Sequence, residues 1–200
     1  MTIFVDRVPD LLWSHGEGKA AFDEASHALA VTAAAGVDWS NDSLDGPQKH
    51  SATSLGFLAP DEFTLSARVA VKANRTTFDA AVLAVWGDQD HWAKLCFEFS
   101  PQREAMVVSV VTNGYSDDCN SAIVAHPSIY LRVVRTGPAW AFHASDDGAM
   151  WRFVRLFRLE FAGPIRVGFM SQAPTGDSCV AIFDEIAYDT TVPGALRDGS

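Results

Sequence analysis

Residues 82–112 read VLAVWGDQDHWAKLCFEFSPQREAMVVSVVT, three apolar runs separated by two polar breaks, Gly87-Asp88-Gln89-Asp90 and Ser100-Pro101-Gln102-Arg103-Glu104. Apolar runs of this length bounded by Gly, Pro and Asp are strands, and breaks this short make neighbouring strands antiparallel. The stretch therefore predicts a three-strand meander. Within Lys94-Leu95-Cys96-Phe97-Glu98-Phe99 the alternation is strict. Successive side chains of a strand point to opposite faces, so Leu95, Phe97 and Phe99 form a core face, while Lys94, Cys96 and Glu98 face away from it. Trp92 shares the parity of the charged face.

The rest of the chain follows the same pattern. Strands are predicted near 53–58, 63–71, 120–125, 129–135, 139–145, 151–157, 165–171 and 179–188. Their connections are short and carry turn residues: Thr136-Gly137-Pro138, Asp147-Gly148, Gly163-Pro164 and Pro174-Thr175-Gly176-Asp177. Lys19 to Gly36 is rich in alanine and has real helix propensity. Its segment 27–34 is read as a strand because the remainder of the chain is so strongly β. Leu11-Leu12-Trp13 reads as an apolar edge segment closing one end of the fold. Val37 to Ser54 is a long polar loop, a class that is usually functional or mobile. Trp39 looks exposed on it. Asn113 to Asp118 reads as a turn-rich connection. About a dozen regularly spaced strands argue an all-β sandwich over residues 1–192, a single domain, with 193–200 as a flexible tail.

The charge balance excludes some partners. With 15 basic residues, scattered, and a formal charge of −10, the chain lacks the basic face that neutralises nucleic-acid phosphates or anionic lipid. No apolar run approaches the roughly 20 residues of a membrane span. The first residues carry neither a basic nor an uninterrupted apolar signal segment, which predicts a cytoplasmic protein. Cys96, Cys119 and Cys179 are odd in number and far apart, so neither a disulfide framework nor a metal site is expected. The six histidines are isolated, and no HxH or HExxH occurs. No metal or cofactor is predicted.

Several motifs carry a family resemblance. They are Asp38-Trp39, Trp92 to Glu98, Ser109-Val110-Val111-Thr112 leading to Ser116-Asp117, Ser145-Asp146-Asp147-Gly148 with Trp151, Val167-Gly168, and Ser171 with Pro174. In order and spacing they resemble the DUF1349 family, the "regulation of enolase"-like proteins of the concanavalin A-like lectin/glucanase superfamily, over roughly residues 25–190. The resemblance implies a concanavalin A-like jelly-roll sandwich of two antiparallel sheets, one concave. Related modules occur attached to glycoside hydrolases, which suggests carbohydrate contact by analogy alone. The family often has Trp after Ser-Asp, whereas this chain has Asp118-Cys119.

The candidate ligand-binding residues are Trp39, Trp86, Trp92, Lys94, Glu98, Tyr115, Ser116, Asp117 and Arg132. Trp92, Lys94 and Glu98 share one strand face, with Trp86 at the end of the neighbouring strand. An aromatic platform beside a cation and a carboxylate suits a hydroxylated ligand; a solvated Lys–Glu pair is the plainer reading. Trp39, Asp42, Tyr115, Ser116 and Asp117 lie on loops that can converge on a sandwich edge, although Asp and Ser also serve turns. Arg132 suits a buried or half-buried carboxylate partner. The run from Ser145 to Trp151 reads as a structural hairpin, with Trp151 packed over the turn. No catalytic residue is assigned. The retaining glucanases of the superfamily carry Glu-x-Asp-x-x-Glu on one strand, and Glu98 has no Asp or Glu at i±2 or i±4. The expected function is a non-catalytic module that binds a carbohydrate or other small polar ligand on a concave face. A protein-interaction or regulatory module is the alternative, and an unrecognised glycoside hydrolase comes third.

Overall fold

The computed structural model describes residues 3–72 and 74–200. The strands are β1 (Leu12–Trp13), β2 (Lys19–Asp23), β3 (Ala28–Ala34), β4 (Trp39–Ser40), β5 (Lys49–His50), β6 (Leu55–Leu58), β7 (Glu62–Lys72), β8 (Ala80–Trp86), β9 (His91–Phe99), β10 (Ala105–Asn113), β11 (Tyr115–Ile123), β12 (Ser128–Thr136), β13 (Ala139–Ser145), β14 (Arg152–Phe157), β15 (Arg166–Gln172) and β16 (Ser178–Asp189). They form two seven-stranded antiparallel sheets. The front sheet has the order β1-β6-β15-β8-β9-β10-β11 and the back sheet β14-β13-β12-β7-β16-β3-β2. The hairpin β4-β5 stands apart as a two-stranded sheet. The fold is the all-β sandwich expected from the alternation.

One hydrophobic core fills the space between the sheets. Ala81, Leu83 and Val85 of β8, Ala93, Leu95 and Phe97 of β9, and Val107 and Val111 of β10 face Leu65, Leu131, Val133, Phe142 and Phe183 of the back sheet. The predicted register of β9 holds at Leu95 and Phe97. Phe99 departs from it: at the end of the strand it is only half-buried, with the Arg75 guanidinium 5.4 Å from its ring. Gly168 lies opposite Gly56, and a Cβ there would come 2.1 Å from the Leu55 carbonyl oxygen. The close approach of β6 and β15 thus requires glycine.

The strand read at 27–34 is present as β3 in spite of the local helix propensity: β2 and β3 form a hairpin, its turn closed by the Asp23 carboxylate accepting from the Ala25 amide at 2.9 Å. Other expectations are corrected. β11 begins at Tyr115, so Tyr115, Ser116 and Asp117 lie on a strand and the connection shrinks to Gly114. The tail is seated on the outer face of the back sheet, where the Gly199 carbonyl accepts from Arg132 Nη2 at 2.8 Å and the Leu196 carbonyl bonds His143 Nε2 at 2.7 Å. Arg132 therefore has main-chain and aromatic partners in place of the expected carboxylate, with Trp151 4.3 Å beneath its guanidinium. Burial without a counter-ion pushes its pKa down to about 10. Trp151 packs on Arg132, while the turn before it is held by Asp147 Oδ1, which accepts from the Ala149 and Met150 amides. Cys96 and Cys179 are buried, Cys119 is exposed, and all three are unpaired.

Candidate functional site

The outward face of the front sheet is also covered. Every residue of β8 is buried, because both of its faces are packed. The cover is the segment 37–54, here called the strap, whose polar sequence hides two apolar anchors, Trp39 and Ala52. These pack on Val82, Ala84, Trp86, Trp92, Cys96, Val108 and Met170. Trp39 is 1% exposed and lies 4.5 Å from Trp86, ring to ring. Its indole Nε1 donates to the Ala52 carbonyl at 2.7 Å. Asn41 is wholly buried; its Nδ2 donates to the carbonyls of Gln89 and Gly114, and its Oδ1 accepts from His50 Nε2 at 2.7 Å. Ser116 Oγ accepts the Asn41 amide at 2.9 Å. These bonds satisfy polar groups that the strap would otherwise bury unpaired.

Lys94 rises from the middle of β9 beneath the strap and is 4% exposed. Its ammonium donates to Asp38 Oδ1 at 3.0 Å, the Trp39 carbonyl at 2.7 Å and Gln172 Oε1 at 2.9 Å. Burial pushes its pKa down most strongly, but the charges of Asp38, Cys96 and Glu98 and the hydrogen bond to Asp38 together outweigh it, and the net displacement is upward. Gln172 Nε2 donates onward to the Phe78 carbonyl at 2.9 Å and to Glu98 Oε2 at 3.3 Å. A continuous polar chain thus runs from Asp38 through Lys94 and Gln172 to Glu98.

This chain forms one wall of a cleft of about 330 Å³. The strap contributes Asp38, Trp39, Ser40 and Lys49, β9 contributes Lys94 and Glu98, and β11 contributes Ser116, Asp118 and Asn120. Val108 and Val110 form the floor, and Phe78, Gln172, Pro174 and Thr175 close the far side. Phe78 has φ +69°, a conformation rare for a bulky side chain, which costs roughly 1–3 kcal/mol. It is held by its own amide donating to the Phe99 carbonyl at 2.7 Å and by Gln172 on its carbonyl. The result is an aromatic ring 39% exposed at the cleft.

Burial pushes the Glu98 carboxyl up; Lys94 and Arg75 pull it down, and Asp38 and Asp118 push it further, leaving it at about 7 against an ordinary 4.5. Asp118 is also displaced upward, by desolvation first and then by Asp38 and Asp117 against the pull of Lys94 and Arg155. The folded protein therefore holds the Glu98 proton more tightly than the unfolded chain. Stability from this carboxyl is fully present below the unfolded value near 4.5 and is lost as pH rises through about 7. Glu98→Gln is expected to match the wild type in urea unfolding at pH 4.5 and to exceed it by about 1–3 kcal/mol at pH 8. An equal difference at the two pH values would refute this linkage.

Of the residues singled out in the sequence, Trp39, Lys94, Glu98 and Ser116 meet at the cleft. Trp92 does not: it is fully buried under the strap, its Nε1 donating to the Gln89 carbonyl at 3.2 Å, so it offers no platform to a ligand. Trp86 is likewise buried against Trp39. Trp39, read as exposed, is an anchor of the strap. Tyr115 is exposed outside this cleft and its hydroxyl donates to Asp45. Asp117 pairs at 2.7 Å with Arg155 of β14, joining the edges of the two sheets. Arg132 lies on the back sheet, remote in topology from β9. Sequence reading missed Phe78, Asp118, Asn120 and Gln172. Asp118 and Asn120 share a parity with Ser116, a signal hidden once 113–118 was taken for a turn. Phe78 and Gln172 carried no local signal.

A family model described as "Protein of unknown function (DUF1349)" matches residues 13–191. The chain belongs to this family. Its structure is similar to that of a functionally unknown protein from Saccharomyces cerevisiae, with 25% identity, a TM-score of 0.80 and coverage of 92% of this chain and 97% of the yeast one. A xylan β-1,4-xylosidase from Bacillus halodurans gives a TM-score of 0.64 at 15% identity, covering 85% of this chain but 34% of the xylosidase. An alginate lyase from Klebsiella pneumoniae gives 0.55 at 13% identity, covering 86% and 84%. The last two likenesses concern the fold alone. No curated protein matches the chain in sequence.

Proposed function

We propose that this DUF1349 domain is a non-catalytic binding module whose cleft between the strap and β9–β11 takes a carbohydrate or another small polar ligand. The observation that carries the reading is Phe78, a ring held at positive φ beside a polar cleft, since backbone strain of this kind is retained where the surroundings enforce it. An exposed aromatic face flanked by carboxylates matches the two sides of a sugar, its C–H face and its hydroxyl rim. The same ring takes over the platform role that the sequence assigned to Trp92.

The test is a glycan and metabolite screen on the wild type, followed by calorimetry on two variants. Phe78→Ala is expected to weaken binding by about 1–3 kcal/mol through lost apolar contact. Alanine keeps the main-chain bonds that hold position 78, to the Phe99 carbonyl and from Gln172, so folding should stay intact. Glu98→Gln is expected to weaken binding by about 1.5–3 kcal/mol, the net worth of a charge-assisted hydrogen bond. A ligand whose affinity ignores both changes would place its site elsewhere. Glu98 near neutrality, with Asp118 from another strand in the same cleft, favours glycoside hydrolysis as the second reading. Release of reducing ends from a screened glycan, abolished by Glu98→Gln, would replace the binding-module reading with that one.

A further inference from the structure

The cleft's hydrogen-bonding inventory restricts what it can hold. An ammonium has three donors and no acceptor, and Lys94 directs its bonds to Asp38, the Trp39 carbonyl and Gln172. No N–H of Lys94 is left for a ligand. Gln172 is committed in the same way, its oxygen to Lys94 and its nitrogen to Phe78 and Glu98. Lys94 is moreover neutralised by Asp38. The charged groups that remain open to an incoming molecule are two carboxylates and one lysine. Glu98 lines the cleft with one oxygen bonded to Gln172, and the Asp118 carboxylate has no hydrogen-bond or ion-pair partner among the described residues. Lys49, on the exposed strap, is the one further cation in the lining.

We propose that the cleft selects a ligand carrying a protonated amine on a polyhydroxylated frame, an amino sugar or amino polyol, whose ammonium is drawn to Glu98 and Asp118 while its apolar face packs on Phe78. The proposal rests on the binding-module reading above and names its ligand class. An ammonium meets both carboxylates in charge-assisted bonds stronger than those of a hydroxyl. The exposed Phe78 face attracts a cation as well. The formal charge of −10 draws cations toward the molecule as a whole. An acidic sugar would instead meet two carboxylates with no free cation beside them except Lys49.

Three glycosides of one disaccharide, cellobiose, test this: aminoethyl, hydroxyethyl and carboxymethyl, matched in size and differing in terminal charge. Calorimetry at pH 8 keeps Glu98 ionised and the amine protonated, since a primary alkyl amine titrates near the lysine value of about 10.4. The aminoethyl glycoside is expected to bind at least about tenfold more tightly than the hydroxyethyl one. The carboxymethyl glycoside is expected to bind most weakly. Glu98→Gln and Asp118→Asn should each shrink the preference for the amine; Asp118 is exposed, so its variant keeps the test open should the other fail to fold. Hydroxyethyl binding as tight as aminoethyl would overturn the amine selectivity and leave the binding module standing. Preferential binding of the carboxymethyl compound would reverse the charge assignment. Absence of binding by all three would overturn the proposal, and if the glycan and metabolite screen is also blank, the binding-module reading falls with it.

Discussion

Phe97→Ala is expected to destabilise the protein by about 3–5 kcal/mol, the range for truncating a buried aromatic side chain. Phe97 is 1% exposed and sits between Ala81 of β8 and Val107 of β10, in the sheet that forms one wall of the core. Small neighbours cannot close over the cavity without moving the sheet, so the loss combines transfer energy with an unfilled void. The ring also supports Arg75, whose guanidinium lies 4.4 Å from its centre. Arg75 is displaced downward in pKa by burial, and its Nε has no hydrogen-bond partner. Removing the ring therefore strips a poorly compensated cation of its apolar cover. Urea unfolding reads the effect directly, and a loss below about 1 kcal/mol would show that β9 is not central to the core. Phe97→Leu, which fills most of the space, should lose far less.

Lys94→Ala is expected to cost about 3–5 kcal/mol and to loosen the strap. The substitution leaves Asp38 without its cation and orphans two buried acceptors, the Trp39 carbonyl and Gln172 Oε1. A buried charge or acceptor stripped of its partner incurs the full desolvation penalty. The double variant Lys94→Met with Asp38→Asn removes both charges and should recover part of the loss, because a neutral pair of similar volume has no unpaired ion. A double-mutant cycle separates the two contributions. Amide exchange localises the effect. The Ala52 amide, bonded to the Asp38 carbonyl at 3.3 Å, and the Asn41 amide, bonded to Ser116 Oγ, should lose protection in Lys94→Ala before the core strands do. Unchanged protection there would mean that Trp39 and Asn41 hold the strap without the lysine.

The positions of success and failure follow one division. Alternation in Leu95, Phe97, Val107 and Val111 was sufficient to orient β9 and β10. The near-continuous apolar run of β8 was the one hint that the opposite face is covered too, since a strand open to water on one side alternates and a doubly buried one does not. The Gly137-Pro138 and Asp147-Gly148 breaks placed the β12-β13 and β13-β14 hairpins. Trp39 and Trp92 were misplaced because a strand records which way a side chain points, and not what lies above it. Tyr115 to Asp117 were misplaced because Asn, Gly, Ser and Asp read as turn, whereas they pair with Val111 to Asn113 of β10 at the start of a nine-residue edge strand.

By itself, then, the sequence determined the all-β class, the strand parity, the net charge and the resemblance that the family match bears out. These are local or compositional properties: period-two patterning, turn chemistry and net charge act over a few residues or over the whole chain at once. Only the tertiary structure decided where the strap docks, which neighbours use the donors of Lys94, and which ring faces the cleft. Lys94 meets Asp38, 56 positions away in sequence, and Gln172, 78 away. Phe78 owes its exposure to bonds with Phe99 and Gln172 on two other strands. Contacts at such separations arise only when the sheets assemble, and they turn a lysine that the alternation placed on an open face into the buried anchor of the strap.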